Sequence, residues 1–398
     1  MFHSVGLYDH QWRSPYISSP LQLFEEQIKA LCGLGYTGIF FKDIATADSQ
    51  KKNVSLTFDD GYLDNWVHVF PILEKYGMRG TIFVSPDFVD PSGAVRRKNA
   101  GGIDDKKHIA TNCCAGFLSW QEMREMEKSG LIDIQSHALT HTWYFAGPDI
   151  VDFWHPGSAT EHNGPVWMLW NRFPELKPYY ITRAGDYENK IAYGTPIHAH
   201  GKSLATRQYF PDMNNDSRFT AMVKQCGGVS FFEKPDWRDR LLSLASEAGL
   251  KTSGAYESDD QYVARIRHEL SESRRLIQEN LQKKVTCLCW PGGGVSEQVV
   301  ALARECGYKQ FTLPSAWRAD HSRGKYKDLI PRMGSGTIVK WGQKDIGIRT
   351  STEFKWRIKA FNGSGLHSVL LSVGAAGRLA LFFLGFNRKK PGAYRQTR

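Results

Sequence analysis

Short apolar, β-branched runs alternate with stretches of helical spacing over much of the chain. The run Val54-Ser55-Leu56-Thr57-Phe58 predicts a buried strand that ends in Asp59-Asp60-Gly61. Met1–Val5, Gly38–Phe41, Arg79–Ser85 and Leu131–Gln135 predict further strands. Helices are predicted from Pro20 to about Leu34, with Leu23, Phe24, Ile28 and Leu31 on one face, and from Tyr62 to Tyr76, with Gly77 as the stop. Ser119-x-x-Glu122 is a capping box that opens a third helix, to Ser129. The rhythm returns with a long polar helix over Ser258–Gln282, a strand Val285–Trp290, a helix Val295–Cys306 and a strand Tyr308–Leu313. Strands alternating with helices imply an α/β fold with a parallel sheet. A closed or distorted β/α barrel fits best, with a site at the C-terminal ends of its strands.

Residues 144–257 break this pattern and read as a mostly helical insertion within a barrel spanning residues 1–335. Two helices are expected in it, near 215–226 and 236–249. Its tryptophans, Trp154, Trp167, Trp170 and Trp237, suit either a sugar-stacking platform or the small core that such an insertion needs. Residues 336–398 form a separate basic, amphipathic tail. Leu366–Phe386 is apolar except for His367, Ser368, Ser372 and Arg378, and Arg388-Lys389-Lys390 follows. An arginine near the middle argues against a spanning helix. Two short helices lying on an anionic membrane, or packed on the barrel, are the alternatives.

Charge sharpens that division. The net charge is +10 over 398 residues. The tail alone holds twelve Lys/Arg and two Asp/Glu, a difference of +10, so residues 1–335 sum to zero. A neutral main domain argues against a nucleic-acid partner. Seven cysteines, with Cys113 and Cys114 adjacent and no C-x-x-C pair, point to reduced thiols. Met1-Phe2-His3-Ser4-Val5 has no basic and apolar leader character, so a cytoplasmic location is the default expectation.

The candidate chemistry lies at strand ends. Two adjacent acids, Asp59 and Asp60, shift each other's proton affinity, which suits one carboxylate on a metal and one acting as a base. Behind the Leu131–Gln135 strand comes Ser136-His137-Ala138-Leu139-Thr140-His141. Histidines four residues apart lie on one face of a helical turn, so both imidazoles can reach one ion. One carboxylate and two imidazoles form a three-ligand set with open positions. Zn²⁺ fits it first, and Co²⁺, Ni²⁺ or Fe²⁺ are admitted.

Thr57-Phe58-Asp59-Asp60-Gly61 together with Ser136-His137-x-x-x-His141 resembles the first two motifs of the polysaccharide deacetylases, the carbohydrate esterases with a nodulation-type chitooligosaccharide deacetylase domain. The flanks agree: Phe2-His3-Ser4-Val5, Gly61-Tyr62-x-Asp64-Asn65, Gly80-Thr81-Ile82-Phe83-Val84 and, late in the chain, Ile330-Pro331-Arg332. The likeness covers roughly residues 1–143 and 258–335. It implies a deacetylase-type barrel, with Asp60, His137 and His141 as metal ligands and Asp59 as the base. The implied reaction is removal of an N-acyl group, acetyl first, from an amino sugar of a polysaccharide, oligosaccharide or lipid-linked glycan.

Leu288-Cys289-Trp290-Pro291-Gly292-Gly293 is similar to the family's third motif with two departures. Cys289 stands where many members have an arginine that orients the base, and Gly292 stands where they have an aromatic residue. A backbone N–H at Gly292 can still serve as an oxyanion donor, since it needs no side chain. The family's final Leu-x-His, which supplies the acid, is not found, and His3 is the candidate to replace it. A tight glycine turn and a structural strand-end histidine are the plain alternatives for Gly292 and His3. Among the insertion's histidines, His198-x-His200 is the pair to watch. A non-catalytic carbohydrate-binding barrel that keeps a structural metal is the rival function, and an iron oxygenase with the same ligand set is a third. Retention of Asp59 beside Asp60 opposes the binding-only reading.

Overall fold

Leu56–Asp60 is a strand whose first four residues are buried, as an apolar run closed by Gly61 requires. The computed structural model describes residues 1–7, 17–98, 114–159, 164–247, 254–335, 338–341, 344–348 and 350–383. The chain divides into two compact bodies. One comprises residues 1–84, 89–135 and 331–398, the other residues 85–88 and 136–330.

The first body opens with β1 (Ser4–Val5) and α1 (Leu21–Gly33). Strand β2 (Leu56–Asp60) follows, then α2 (Phe70–Tyr76) and β3 (Gly80–Val84). Strands β2 and β3 are parallel, with Asp59 opposite Phe83 and Asp60 opposite Val84. Helix α3 (Trp120–Lys128) starts at the expected capping box, with both of its reciprocal bonds made, and leads to β4 (Ile132–Ser136). The N-terminal residues run parallel to β2. Phe2 N–H donates to the Thr57 carbonyl at 2.8 Å, and Asp59 N–H donates to the Phe2 carbonyl at 3.0 Å. Phe2, Phe24 and Phe58 pack with ring centroids 5.1–5.9 Å apart. This aromatic core fixes where His3 emerges relative to the acid pair. The strand expected at Gly38–Phe41 covers only Thr37–Gly38, and Phe41–Thr46 turns into a 3₁₀ helix.

The second body contains β5 (Trp143–Phe153) and β6 (Pro196–Lys202), an antiparallel pair with Trp143 opposite Lys202. It continues with α4 (Met213–Gln225), α5 (Trp237–Glu247) and α6 (Asp259–Leu281). Strands β7 (Cys287–Leu288), β8 (Gln310–Thr312) and β9 (Leu329–Ile330) are parallel, with α7 (Glu297–Glu305) between the first two. Ser136, the last residue of β4 and the first of this stretch of the second body, pairs with Leu288. Parallel strands joined through helices are the α/β architecture that the alternation predicts.

The two helices expected in the insertion are α4 and α5. The β5/β6 pair beside them was not legible, because its long strand carries Gly147 and Pro148 and alternates poorly. Phe153, Phe219, Val223, Phe231, Leu241 and Ala245 make a separate buried core there. Trp237 packs against its partly buried rim. Trp154 is fully buried, with its indole N–H donating to the Glu188 carbonyl, and Trp167 is buried too. Those rings serve packing, which is the plainer of the two readings.

The last segment returns to the first body with a hairpin, β10 (Ile338–Trp341) and β11 (Lys344–Ile348), then α8 (Ser351–Phe361) and α9 (Gly365–Phe383). Helix α8 buries Phe354 and Ile358, and where two short helices were expected from Leu366 onward the chain forms the single helix α9. Helix α9 leaves Leu366, Val369 and Val373 exposed. No described helix is long and apolar enough to cross a membrane.

Candidate active site

The acid half of the site belongs to the first body. Asp60 ends β2 with φ at +74°, and Gly61 follows at +72°. A Cβ on Gly61 would stand 3.0 Å from Val84 Cγ1, so only glycine lets the chain turn there. That reversal gives the two neighbouring carboxylates different directions. Asp59, only 3% exposed, is gripped by Arg332: Nη1 meets Oδ1 at 2.6 Å and Nη2 meets Oδ2 at 2.8 Å. A two-pronged guanidinium fixes the plane of a carboxylate as a single-point cation cannot. His3 Nε2 stands 3.9 Å from Asp59 Oδ2. The first body thus brings His3, Asp59 and Arg332 together.

Arg332 is the residue that motif reading left without a role. Cys289 occupies the sequence slot of the base-orienting arginine, yet the cation on Asp59 comes from 273 residues further along the chain. Its signal was present in Ile330-Pro331-Arg332, but no local pattern links that tripeptide to the acid pair.

Behind His3 lies a second carboxylate. Asp64 is fully buried and accepts from Ser4 Oγ at 2.5 Å and Asn65 Nδ2 at 2.7 Å, while the same Asn65 amide donates to the His3 carbonyl at 3.0 Å. Burial pushes its carboxyl up to about 7, against the lowering by its hydrogen-bond donors. Native protein then holds a proton that the unfolded chain has released between about pH 4 and pH 7, so stability falls as pH rises through that window. The slope is at most about 1.4 kcal/mol per pH unit. Asp64→Asn should remove this component. Melting temperatures at pH 5 and pH 8 should lie closer together in the variant than in the parent, and an unchanged gap would contradict the assignment.

The histidine half belongs to the second body. His137 is buried and its Nδ1 lies 2.8 Å from the Cys289 carbonyl. An Nδ1–H donated to that carbonyl makes Nε2 the lone-pair nitrogen, the form in which an imidazole ligates. Cys289 therefore acts through its backbone. The ring of His141 is 5.1 Å from that of His137, with Phe88 and Trp143 beside it at 6.2 and 6.1 Å. The helical turn expected at residues 137–141 is not formed. The segment is a loop in which Ala138 and His141 take positive φ, +59° and +43°, and those two reversals bring the imidazoles together. Spacing alone could not distinguish this from a turn of helix.

Gly292 lies in the Pro291–Gly293 turn with φ at +54°. Its carbonyl accepts from Lys202 Nζ of β6, and a Cβ there would sit 3.0 Å from Lys202 Cε. Burial lowers the Lys202 ammonium below its ordinary range. The lysine stem covers the face of the turn, a long-range contact that no local pattern predicts. In the pair His198-x-His200, His198 meets the Pro148 carbonyl through Nδ1 at 2.9 Å and stands 3.6 Å from Asp216 Oδ1 through Nε2, while His200 Nδ1 meets the His198 carbonyl at 3.0 Å.

The two imidazoles of the second body suit a divalent ion by their chemistry, and for His137 a hydrogen bond at the second ring nitrogen fixes the tautomer that leaves Nε2 open.

Strand-end acids and a histidine loop on an α/β scaffold are the equipment of a hydrolase. A family model for polysaccharide deacetylase matches residues 46–161 and 239–311. Those two stretches of the chain are similar to a polysaccharide deacetylase domain. It is 32% identical over 146 residues to YxkH of Bacillus subtilis (strain 168), named for the polysaccharide deacetylases, covering 35% of this chain and 42% of that protein. It is 29% identical over 133 residues to the poly-β-1,6-N-acetyl-D-glucosamine N-deacetylase of Escherichia coli (strain K12), covering 32% of this chain and 18% of the relative. The chain thus spans less than half the length of either. The solved deacetylase domain BpsB from Bordetella bronchiseptica superposes with a TM-score of 0.45 at 17% identity, over 84% of this chain and 95% of that one. The de-N-acetylase from Aggregatibacter actinomycetemcomitans gives 0.44 at 18% identity, over 78% and 85%.

Proposed function

We propose that the protein is a metal-dependent hydrolase that removes an N-acetyl group from an amino sugar of a glycan. Asp60, His137 and His141 would hold the ion, Zn²⁺ by preference, which supplies Lewis acidity when bound. Asp59 accepts a proton from the attacking water, and Arg332 keeps its carboxylate aligned while this happens. The N–H of Gly292 donates to the oxygen that becomes negative as the acyl carbon turns tetrahedral. His3, beside Asp59, delivers a proton to the departing amine.

The observation that carries this reading is the state of Asp59. A carboxylate at 3% exposure, held by both arms of a guanidinium with an imidazole 3.9 Å away, is equipment for proton transfer. A barrel that only binds sugar has no use for it. Substrate class rests on the family and on the name of the Escherichia coli relative. The test is a panel of N-acetylated and N-formylated amino-sugar oligomers and lipid-linked conjugates, with released acetate and formate measured. Acetate from an N-acetylglucosamine oligomer is expected. Binding of these ligands with no acid released from any would favour the non-catalytic carbohydrate-binding function.

A further inference from the structure

The loop that carries His137 and His141 is held from outside the three motifs. Two of its residues, Ala138 and His141, sit in the left-handed region without being glycine, a conformation that persists only when neighbours over-determine it. Glu269 of α6, 5% exposed, supplies much of that constraint. Its Oε1 accepts from Leu139 N–H at 3.1 Å, Thr140 N–H at 2.7 Å and Thr140 Oγ1 at 2.8 Å.

Lys177 supplies the rest. It comes from the short 3₁₀ helix Pro174–Tyr179 within the 144–257 insertion and is 2% exposed. Its ammonium donates to the Thr140 carbonyl at 3.0 Å and pairs with Asp87 Oδ2 at 2.7 Å. The Asp87 N–H donates to the Leu139 carbonyl at 3.3 Å, and Ser85 Oγ donates to the His137 carbonyl at 2.9 Å. A lysine is seldom buried so completely, because desolvating its charge is costly unless partners replace the water. Here those partners are one carboxylate and the backbone between the two histidines.

We infer that Lys177 and Glu269 are positioning residues that lock the histidine loop in its ion-binding shape, and that this is one task of the 144–257 insertion. The inference rests on reading His137 and His141 as ligands. Groups that orient ligands from behind commonly account for about 10- to 100-fold in metal affinity. A purely structural role would instead lower the melting temperature of metal-free protein and leave the affinity alone.

The experiment compares full-length parent, Lys177→Met, Glu269→Leu and Glu269→Gln, each stripped of metal. Melting temperatures of the metal-free forms are recorded, and Zn²⁺ affinity is measured by competition with a chromophoric chelator. Glutamine keeps the Oε1 acceptor, so Glu269→Gln should bind within about threefold of the parent. Lys177→Met and Glu269→Leu should bind about 10- to 100-fold more weakly. Should Lys177→Met fail to fold, the Asp87→Asn/Lys177→Met pair removes both charges of the ion pair together and replaces it. Parent-like affinity in the folded Lys177 and Glu269→Leu variants overturns the locking role alone. A parent that binds no Zn²⁺ overturns the ligand reading and this inference with it.

Discussion

Alanine at Asp60, His137 or His141 should leave the protein without a tightly held divalent ion and without measurable turnover. Each replacement removes one of three donors, and two donors retain a divalent ion poorly against water and buffer. The Lewis acidity lost is worth several kcal/mol, and each 1.36 kcal/mol is tenfold in rate, so a fall on the order of 10³-fold or more is expected. The three variants should agree with one another, because they share one consequence. Metal analysis after gel filtration gives the first reading and acetate release the second. Full occupancy in any of the three would remove that residue from the ligand set.

Asp59→Asn should separate chemistry from metal binding. The amide has the shape of the carboxylate but takes up no proton from water, so a loss of about 10²- to 10⁴-fold is expected with the ion still bound. There is a structural component as well. Arg332 makes two bonds to Asp59, and an amide can accept only with its oxygen while its NH₂ faces the guanidinium. The melting temperature should therefore fall, which makes metal content the deciding control. A variant that keeps its metal and hydrolyses substrate at the parent rate would show that Asp59 is not the base.

Much of this site could be read from local pattern. The acid pair announces itself because an apolar run ends in two carboxylates and a glycine, and the positive φ at Asp60 and Gly61 is the turn that ending demands. The capping box at Ser119 and Glu122 is formed as the spacing requires, since both partners lie within one turn. What could not be read is whatever depends on distant chain segments meeting. Arg332 reaches Asp59 across most of the sequence, and Cys289 contributes a carbonyl that no residue preference reveals. The histidine spacing was legible as a pair of neighbouring imidazoles but not as a loop. A four-residue interval fits a helical turn and a doubly reversed loop alike, and the choice is made by Glu269, whose three bonds come from α6. The β5/β6 pair was hidden for a different reason: irregularities interrupt its register, so the alternation of a half-buried strand never builds up.

Acetate release from a poly-β-1,6-N-acetylglucosamine oligomer, followed in a single preparation before chelation, after chelation and after reloading with Zn²⁺, tests the central claim most directly. Release should be present, fall to background once the ion is withdrawn, and return on reloading, with Asp59→Asn silent throughout. Release that persists through chelation, or that survives in Asp59→Asn, would contradict the account.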